Sequence, residues 1–368
     1  MKPNIRHKVQ AAIADFLADP HQWDMSLAGT GPIYRLEQKF TSLTEQPYAL
    51  AVSNATMGLW SIFLSLEITD AEIITTPYTW GGSLTGIILN RNRPVFADID
   101  VNTLTLDPEK VLSCITSKTK AILAVDIYGH PCQGQVLRGI ADEHGLLLIQ
   151  DCSQSFGACC DERHTGWWAD VAVFSLSWGK VLFAGEGGMV VMRNQEIYER
   201  LVWKTQHPLR QRRDVPHLPN NEMAANLRLS PLSAICAETA FDDALSSVEA
   251  RRDECLSVLD LLHKEKLIRL NMPELNKVKP AFHALTVTPL CEEKSLRKRL
   301  QVNGLKYKIS SPSVVEPFYC HHVYRRLANS HQWPRHYRCP VAEKECSSRL
   351  RLKRFDVGER EIRLGNTE

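Results

Sequence analysis

The sequence predicts an α/β fold, a mainly parallel sheet covered by helices on both faces, with a smaller α+β region toward the C-terminus. Three observations lead there. Short apolar runs of strand length recur through the first 250 residues. Segments of helical spacing, one of them stopped by a glycine, separate several of them, as the crossovers of a parallel sheet require. The chain has 368 residues, 44% of them hydrophobic and 23% charged, enough for one large domain and a smaller one.

Taken in order, residues 48–53 read as a strand and residues 56–66 as an apolar helix, with Thr56 as its cap. Strands follow at 72–75, 94–97, 121–125 and 146–149. Residues 135–144 have helical spacing and stop at Gly145. Apolar strands follow at 171–176 and 189–192. A long helix over 242–266 leads into the second domain, so the division is placed at 1–245 and 246–368. Beyond it come a strand at 282–289, a helix at 292–303 and a strand at 307–310, then a loop-like stretch over 311–338.

Composition excludes several classes. No run of eighteen apolar residues exists, which argues against a transmembrane helix. Residues 1–30 contain charges, Pro3 and Pro20, and lack the apolar core of a secretory leader, so a cytoplasmic location is expected. A net charge of +2 gives no general pull toward nucleic acid or membrane. The charge is uneven: residues 251–368 hold 24 Lys+Arg against 14 Asp+Glu, and the remaining 250 hold 20 against 28. A solvated basic surface explains this, and a rim for an anionic substrate such as a nucleotide diphosphate is the sharper reading. Eleven scattered cysteines without a Cys-x-x-Cys fit reduced thiols. The set Cys320, His321, His322, His331, His336 and Cys339 matches no standard zinc spacing, and no metal is expected.

No G-x-G-x-x-G follows the first strand and no Walker A pattern occurs, so a simple dinucleotide or ATP site is disfavoured. Ligands of an open α/β sheet still lie at the carboxyl ends of its strands. Asp151 stands there, directly after the apolar run 146–150. A helix-capping role explains it, and so does a charge held in a cleft to pair with a cationic ligand group. Lys180 is the only lysine in the apolar, glycine-rich stretch 174–188. Most lysines are surface groups, but aromatic and small neighbours would desolvate this amine and lower its pKa, as Schiff-base chemistry needs. Gly185, Gly187 and Gly188 allow a tight turn behind it. Thr56 and Met57 open a helix just after a strand, where backbone N–H groups hold phosphate, and Ser175 adds a hydroxyl. Trp80 can stack on a flat ring or pack in the core. Together these features describe a site for pyridoxal 5'-phosphate (PLP), which needs a lysine and an acidic partner for its ring nitrogen.

The order of these segments resembles the DegT/DnrJ/EryC1/StrS family of PLP-dependent sugar and aminocyclitol aminotransferases. The resemblance runs from about residue 31 to 250 and more weakly to 345. It is carried by Ser53-Asn54-Ala55-Thr56, Thr76-Pro77-Tyr78-Thr79-Trp80, residues 94–100 and 105–108, Tyr128-Gly129-His130-Pro131, residues 150–157, and residues 174–188. It implies the type I, aspartate-aminotransferase-like fold and a homodimer with shared active sites. In this reading Lys180 is the aldimine lysine, Asp151 pairs with the ring nitrogen, Gln154 lies near the ring hydroxyl, and Trp80 stacks on the ring. Thr56, Met57 and Ser175 take the phosphate positions, and Asn226 and Arg228 reach the phosphate of the neighbouring subunit. The implied activity moves an amino group from glutamate or glutamine to a keto sugar, nucleotide-linked, or a keto cyclitol, with pyridoxamine phosphate between the two halves. Two departures stand out: Ala55 occupies a position the family usually gives to glycine, and the family's closing helix is not evident in residues 355–368. Lys180 disfavours the lysine-less dehydratases related to the family. An aminohydroxybenzoate-forming synthase and a non-catalytic partner or regulator of the same fold are the alternatives.

Overall fold

The fold is seen in a computed structural model that describes residues 3–19, 21–269, 277–302, 307–310, 318–320, 324–326, 328 and 339–354. Helices α1 (Pro3–Ala18), α2 (Gln22–Leu27) and α3 (Pro32–Thr44) precede β1 (Tyr48–Val52). Then come α4 (Ala55–Ser65), β2 (Glu72–Thr75), α5 (Gly81–Leu89), β3 (Arg93–Phe96), α6 (Pro108–Cys114), β4 (Thr119–Val125), α7 (Gly134–His144) and β5 (Leu147–Asp151). Short strands β6 (Cys159–Cys160) and β7 (Arg163–His164) lead to β8 (Val171–Ser175) and β9 (Gly188–Met192). Helices α8 (Gln195–Thr205), α9 (Pro208–Asp214) and α10 (Pro231–Lys264) follow. The chain continues through β10 (Ile268–Arg269), β11 (Val278–Lys279), β12 (Leu285–Pro289), α11 (Glu293–Val302), β13 (Tyr307–Ser310), α12 (Pro340–Ser348) and β14 (Leu350–Arg354).

The central sheet has seven strands in the order β1-β9-β8-β5-β4-β2-β3. Pairings from β8 to β3 are parallel, and β9 runs antiparallel to both β8 and β1. Strands β8 and β9 are buried along their whole length. The pleat sends alternate residues to opposite faces. Along β8, Ala172 and Phe174 enter one core and Val171 and Val173 the other. Helices α3, α7 and α10 cover the first face, where Phe40 packs against Phe156, Phe174 and Phe241 at ring-centroid distances of 5.9, 5.2 and 5.3 Å. Helices α4 and α5 cover the second. Each fully buried Leu, Ile or Phe stabilises the fold by roughly 1.5–3 kcal/mol. A four-stranded antiparallel sheet, β10-β12-β14-β13, packs with α10 and α11 around its own apolar cluster. A third small sheet, β11-β6-β7, joins residues 278–279 to the main body.

The mainly parallel α/β sheet is as the sequence predicts, and Gly145 ends α7 in the left-handed conformation at φ 62°. Some elements differ. Asn54, not Thr56, caps α4, because its extended backbone lets the side chain accept from Met57 N–H at 2.9 Å. Helix α10 begins at Pro231, eleven residues before the charge pattern reveals it, and passes through 245–246 without a break. Proline at its first turn sacrifices no helical bond. The strand expected from residue 282 starts at Leu285, since Phe282 takes φ 48° and cannot continue a pleat. Helix α5 is hidden in the sequence by its glycines. Gly86 is required there: a Cβ would stand 2.7 Å from the Trp60 nitrogen on α4. Residues 303, 311–317 and 355–368, and His321, His322, His331 and His336, lie outside the described residues. None of the described helices is long and apolar enough to cross a membrane.

Candidate active site

The parallel strands β4, β5 and β8 end at one edge of the sheet, and the loop from β8 to β9 carries Lys180 over that edge. A cavity of about 130 Å³ opens there, lined by Thr56, Trp80, Ser83, Asp126, Asp151, Gln154, Ser175 and Lys180 among others. Six of the nine residues singled out in the sequence therefore share one wall. Gly185 and Gly187 in the loop take φ 85° and 157°, which suits glycine.

Asp151 is the last residue of β5 and 5% exposed. Its Oδ2 accepts from Ser83 Oγ at 2.7 Å, and its Oδ1 accepts from Ser153 N–H at 3.0 Å. Thr79 Oγ1 lies 2.8 Å from Ser83 Oγ, so a short hydroxyl chain braces the carboxylate. Burial holds the Lys180 amine below the ordinary lysine range, and the charge of Asp151 pulls partly the other way. An amine so placed releases its proton more readily than a surface lysine.

At the other end, Ser175 Oγ lies 3.0 Å from Ser177 Oγ. Thr56, in the first turn of α4, lines the same cavity as these hydroxyls. Ala55 is the first residue of that helix and is buried, so the methyl group is accommodated. Trp80 is 63% exposed, with open area on which a flat ring can rest. Gln154 Oε1 accepts from the Tyr128 N–H at 2.7 Å, which fixes the amide and leaves its NH₂ for another partner.

Three expected residues are not on this wall. The Met57 N–H is taken by Asn54, and Met57 does not line the cavity. Asn226 is exposed and Arg228 half-buried on a segment that crosses the end of β1, where Ser53 N–H donates to Leu227 O at 2.7 Å. Neither reaches the cavity of its own chain. Among the described residues no carboxylate pairs with Arg228, and burial holds its guanidinium below the ordinary range.

Ser83 and Asp126 escaped the sequence reading. Asp126 follows the apolar strand β4 just as Asp151 ends β5, so the same signal marks it. It is fully buried. Burial pushes its pKa up to about 6, against the pull of Ser155 Oγ at 2.6 Å, Cys132 N–H at 2.9 Å and Gln150 Nε2 at 3.0 Å. Ser83 gave no signal, because a serine inside a glycine-rich helix reads as surface.

The donor set fits PLP: a desolvated amine, a braced buried carboxylate, hydroxyls at a helix start and an open indole face. Comparison with known proteins agrees. The profile of the DegT/DnrJ/EryC1/StrS aminotransferase family matches residues 22–357. The GDP-perosamine synthase of Vibrio cholerae is 32% identical over 260 residues, which span 70% of this chain and 68% of that protein. A putative L-glutamine:3-amino-2,3-dideoxy-scyllo-inosose aminotransferase of Streptomyces kanamyceticus is 36% identical over 44% of this chain and 39% of its own length. The crystal structure of NtdA from Bacillus subtilis with bound cofactor PMP has the same fold, with a TM-score of 0.77 and 18% identity over 95% of this chain and 78% of that one.

Proposed function

Since this chain belongs to the DegT/DnrJ/EryC1/StrS family of PLP-dependent aminotransferases, we propose that it transfers an amino group from glutamate or glutamine to the keto carbon of a nucleotide-linked sugar or of a cyclitol. The observation that carries the reading is the desolvated Lys180 amine in one cavity with the braced Asp151 carboxylate. When bound there, PLP supplies an electron-withdrawing ring that takes up the electron pair of a broken C–H bond. Every other task falls to side chains. Lys180 removes a proton from the carbon bearing the donor amine and later returns one, as base and then acid. Asp151 holds a proton on the ring nitrogen, and Ser83 keeps the carboxylate aimed. Thr56, Ser175 and Ser177 bind phosphate with hydroxyls, and Trp80 covers the ring. The Gln154 NH₂ donates to the ring oxygen. Asn226 and Arg228, which do not line the cavity of their own chain, serve the phosphate of a second copy.

The GDP-perosamine synthase relationship favours a nucleotide-linked keto sugar, and the scyllo-inosose relative keeps a cyclitol in view. The test is the visible absorption of the PLP-loaded protein before and after adding glutamate or glutamine. The cofactor band is expected to shift in the wild type and to stay in Lys180→Ala. A Lys180→Ala protein that turns over at the wild-type rate overturns the assignment.

A further inference from the structure

The stretch from the end of β2 into the first turn of α5 carries three groups of the site, Thr79, Trp80 and Ser83. Ser83 is fixed by its bond to Asp151. Trp80 is 63% exposed, so burial does not set where its indole lies. The contacts on either side of it come from far along the chain. A short 3-10 turn, Phe318–Cys320, lies against this stretch. Before Trp80, Phe318 N–H donates to Pro77 O at 2.9 Å. After Trp80, the Phe318 ring rests on Gly81, where a Cβ would stand 3.1 Å from Phe318 Cε2. Outside the helix and the chain neighbours of Gly81, only Phe318 among the described residues comes within 4 Å of that point.

Phe318 is itself held. Its ring meets that of Tyr324 at 5.7 Å, and Tyr324, fully buried, packs on Phe96 at the end of β3 at 5.4 Å. Phe96 also meets Tyr319, at 5.8 Å. The Tyr319 hydroxyl donates to Glu343 Oε1 at 2.7 Å and accepts from Cys339 N–H at 3.3 Å, both at the start of α12. Just beyond Phe96, the buried Asp98 carboxylate accepts from Val341 N–H and Ala342 N–H at 3.0 Å each. Those N–H groups belong to the first turn of α12, which has no partner for them inside the helix, and a carboxylate there is doubly favourable. Helix α12 leads directly into β14 of the smaller sheet. A continuous set of contacts therefore runs from that sheet to both sides of Trp80.

We propose that Phe318 is a positioning residue of the active site: its clasp on Pro77 and Gly81 holds Trp80 where the indole covers the cofactor ring. This rests on the aminotransferase reading, in which Trp80 has that task. An exposed indole followed by two glycines, Gly81 and Gly82, has freedom to lose when it is ordered against a ligand. A clasp that removes this freedom beforehand strengthens binding without touching the ligand. The Ser83 bond to Asp151 does not involve Phe318, so the effect falls on the indole.

The test titrates PLP into the apo form of the full chain and reads its affinity and the circular dichroism of its visible band. Phe318→Ala is expected to weaken PLP about fivefold and to reduce that dichroism, as Trp80→Ala does. With Trp80 already replaced by alanine, Phe318→Ala should change the affinity by less than about twofold, because the residue it positions is gone. Phe318→Leu, which keeps an apolar contact on Gly81, should recover part of the loss. Gly81→Ala disturbs the clasp from the other side: alone it should weaken PLP, and combined with Phe318→Ala it should cost nothing further. Losses that multiply when Phe318→Ala and Trp80→Ala are combined mark a general loosening and overturn the proposal. Wild-type affinity in both Phe318→Ala and Gly81→Ala overturns it too. If Phe318→Ala does not fold, the same cycle of Gly81→Ala with Trp80→Ala decides the case. A wild type that takes up no PLP overturns the proposed function as well. A wild type that binds PLP and responds to glutamate or glutamine, with no coupling between Phe318 and Trp80, overturns this proposal alone.

Discussion

Substituting Glu37 by glutamine tests how the strand that feeds the phosphate end is anchored. Glu37 sits on α3, and its Oε1 accepts from Arg210 Nη1 at 2.9 Å and from Ala51 N–H at 2.8 Å. Its Oε2 accepts from Arg210 Nη2 at 3.0 Å. The two side chains are 4% and 1% exposed. Arg210 also meets Asp214 Oδ2 at 3.0 Å and Tyr198 Oη at 3.2 Å. Glutamine keeps the shape and can keep the Ala51 bond. It removes the charge and turns an NH₂ group toward the guanidinium. Breaking one side of a buried pair costs about 3–5 kcal/mol, because the surviving charge stays buried. That is a large part of the roughly 5–15 kcal/mol that holds a typical domain together. Replacing both residues, Glu37→Met with Arg210→Met, removes the stranded charge and should cost less than the two single changes added together. Urea unfolding followed by tryptophan fluorescence reads the wild type, Glu37→Gln, the two single methionine variants and the double variant. A Glu37→Gln loss under about 1 kcal/mol, or strictly additive losses, would show that solvent or Asp214 already satisfies Arg210 and that the reasoning is wrong.

Other consequences are equally direct. Ser83→Ala removes the 2.7 Å hydroxyl bond to Asp151. A bond to a charged group is worth about 1.5–3 kcal/mol, so PLP affinity by fluorescence titration should fall at least tenfold, and an unchanged affinity would dismiss the brace. Asp126 is favoured as its protonated form by folding, since its pKa rises to about 6. Its contribution is full below the ordinary carboxylate pKa and is lost as pH rises through about 6, a swing of about 3 kcal/mol. Asp126→Asn should lack that component, so the stability difference between the two proteins should change between pH 4.5 and 7; a constant difference counts against the buried acid. Gly86→Ala places a methyl group 2.7 Å from the Trp60 nitrogen and should destabilise by about 1–3 kcal/mol, read as a lowered Tm.

Much of the site was legible in the sequence because its chemistry coincides with breaks in pattern. An apolar run that ends in Asp151, and one lysine in an apolar stretch whose only other charged residue is Glu186, are local signals. What stayed hidden depends on neighbours far along the chain. Ser83 matters only because α5 packs beside the end of β5, 68 positions away in sequence. Ser53-Asn54-Ala55-Thr56 offers several capping side chains, and the extended backbone at Asn54 decides between them. Helix α10 was read short because its first three turns are small and apolar, without the charge alternation that marks an exposed helix. His283 looks like any histidine until the fold seats its backbone against Gly129, beside Gln154.

The hairpin that carries Lys180 also bears on how this chain can vary. Ser175 and Gly188 face each other across β8 and β9, and both strands are wholly enclosed. A slip of one position would turn every enclosed side chain to the opposite face, so the stems hold their alignment. The arc between them is free of that constraint, and changes in its length alter loop-closure entropy only modestly. Leu176 and Leu182 of that arc are buried, but an insertion beside the exposed Trp178 and Gly179 should leave the protein folded while displacing the amine from Asp151. Selection for folding alone would pass such variants, and only selection for chemistry would remove them. In this chain, the spacing between the two stems is inherited information of a kind that stability measurements do not detect.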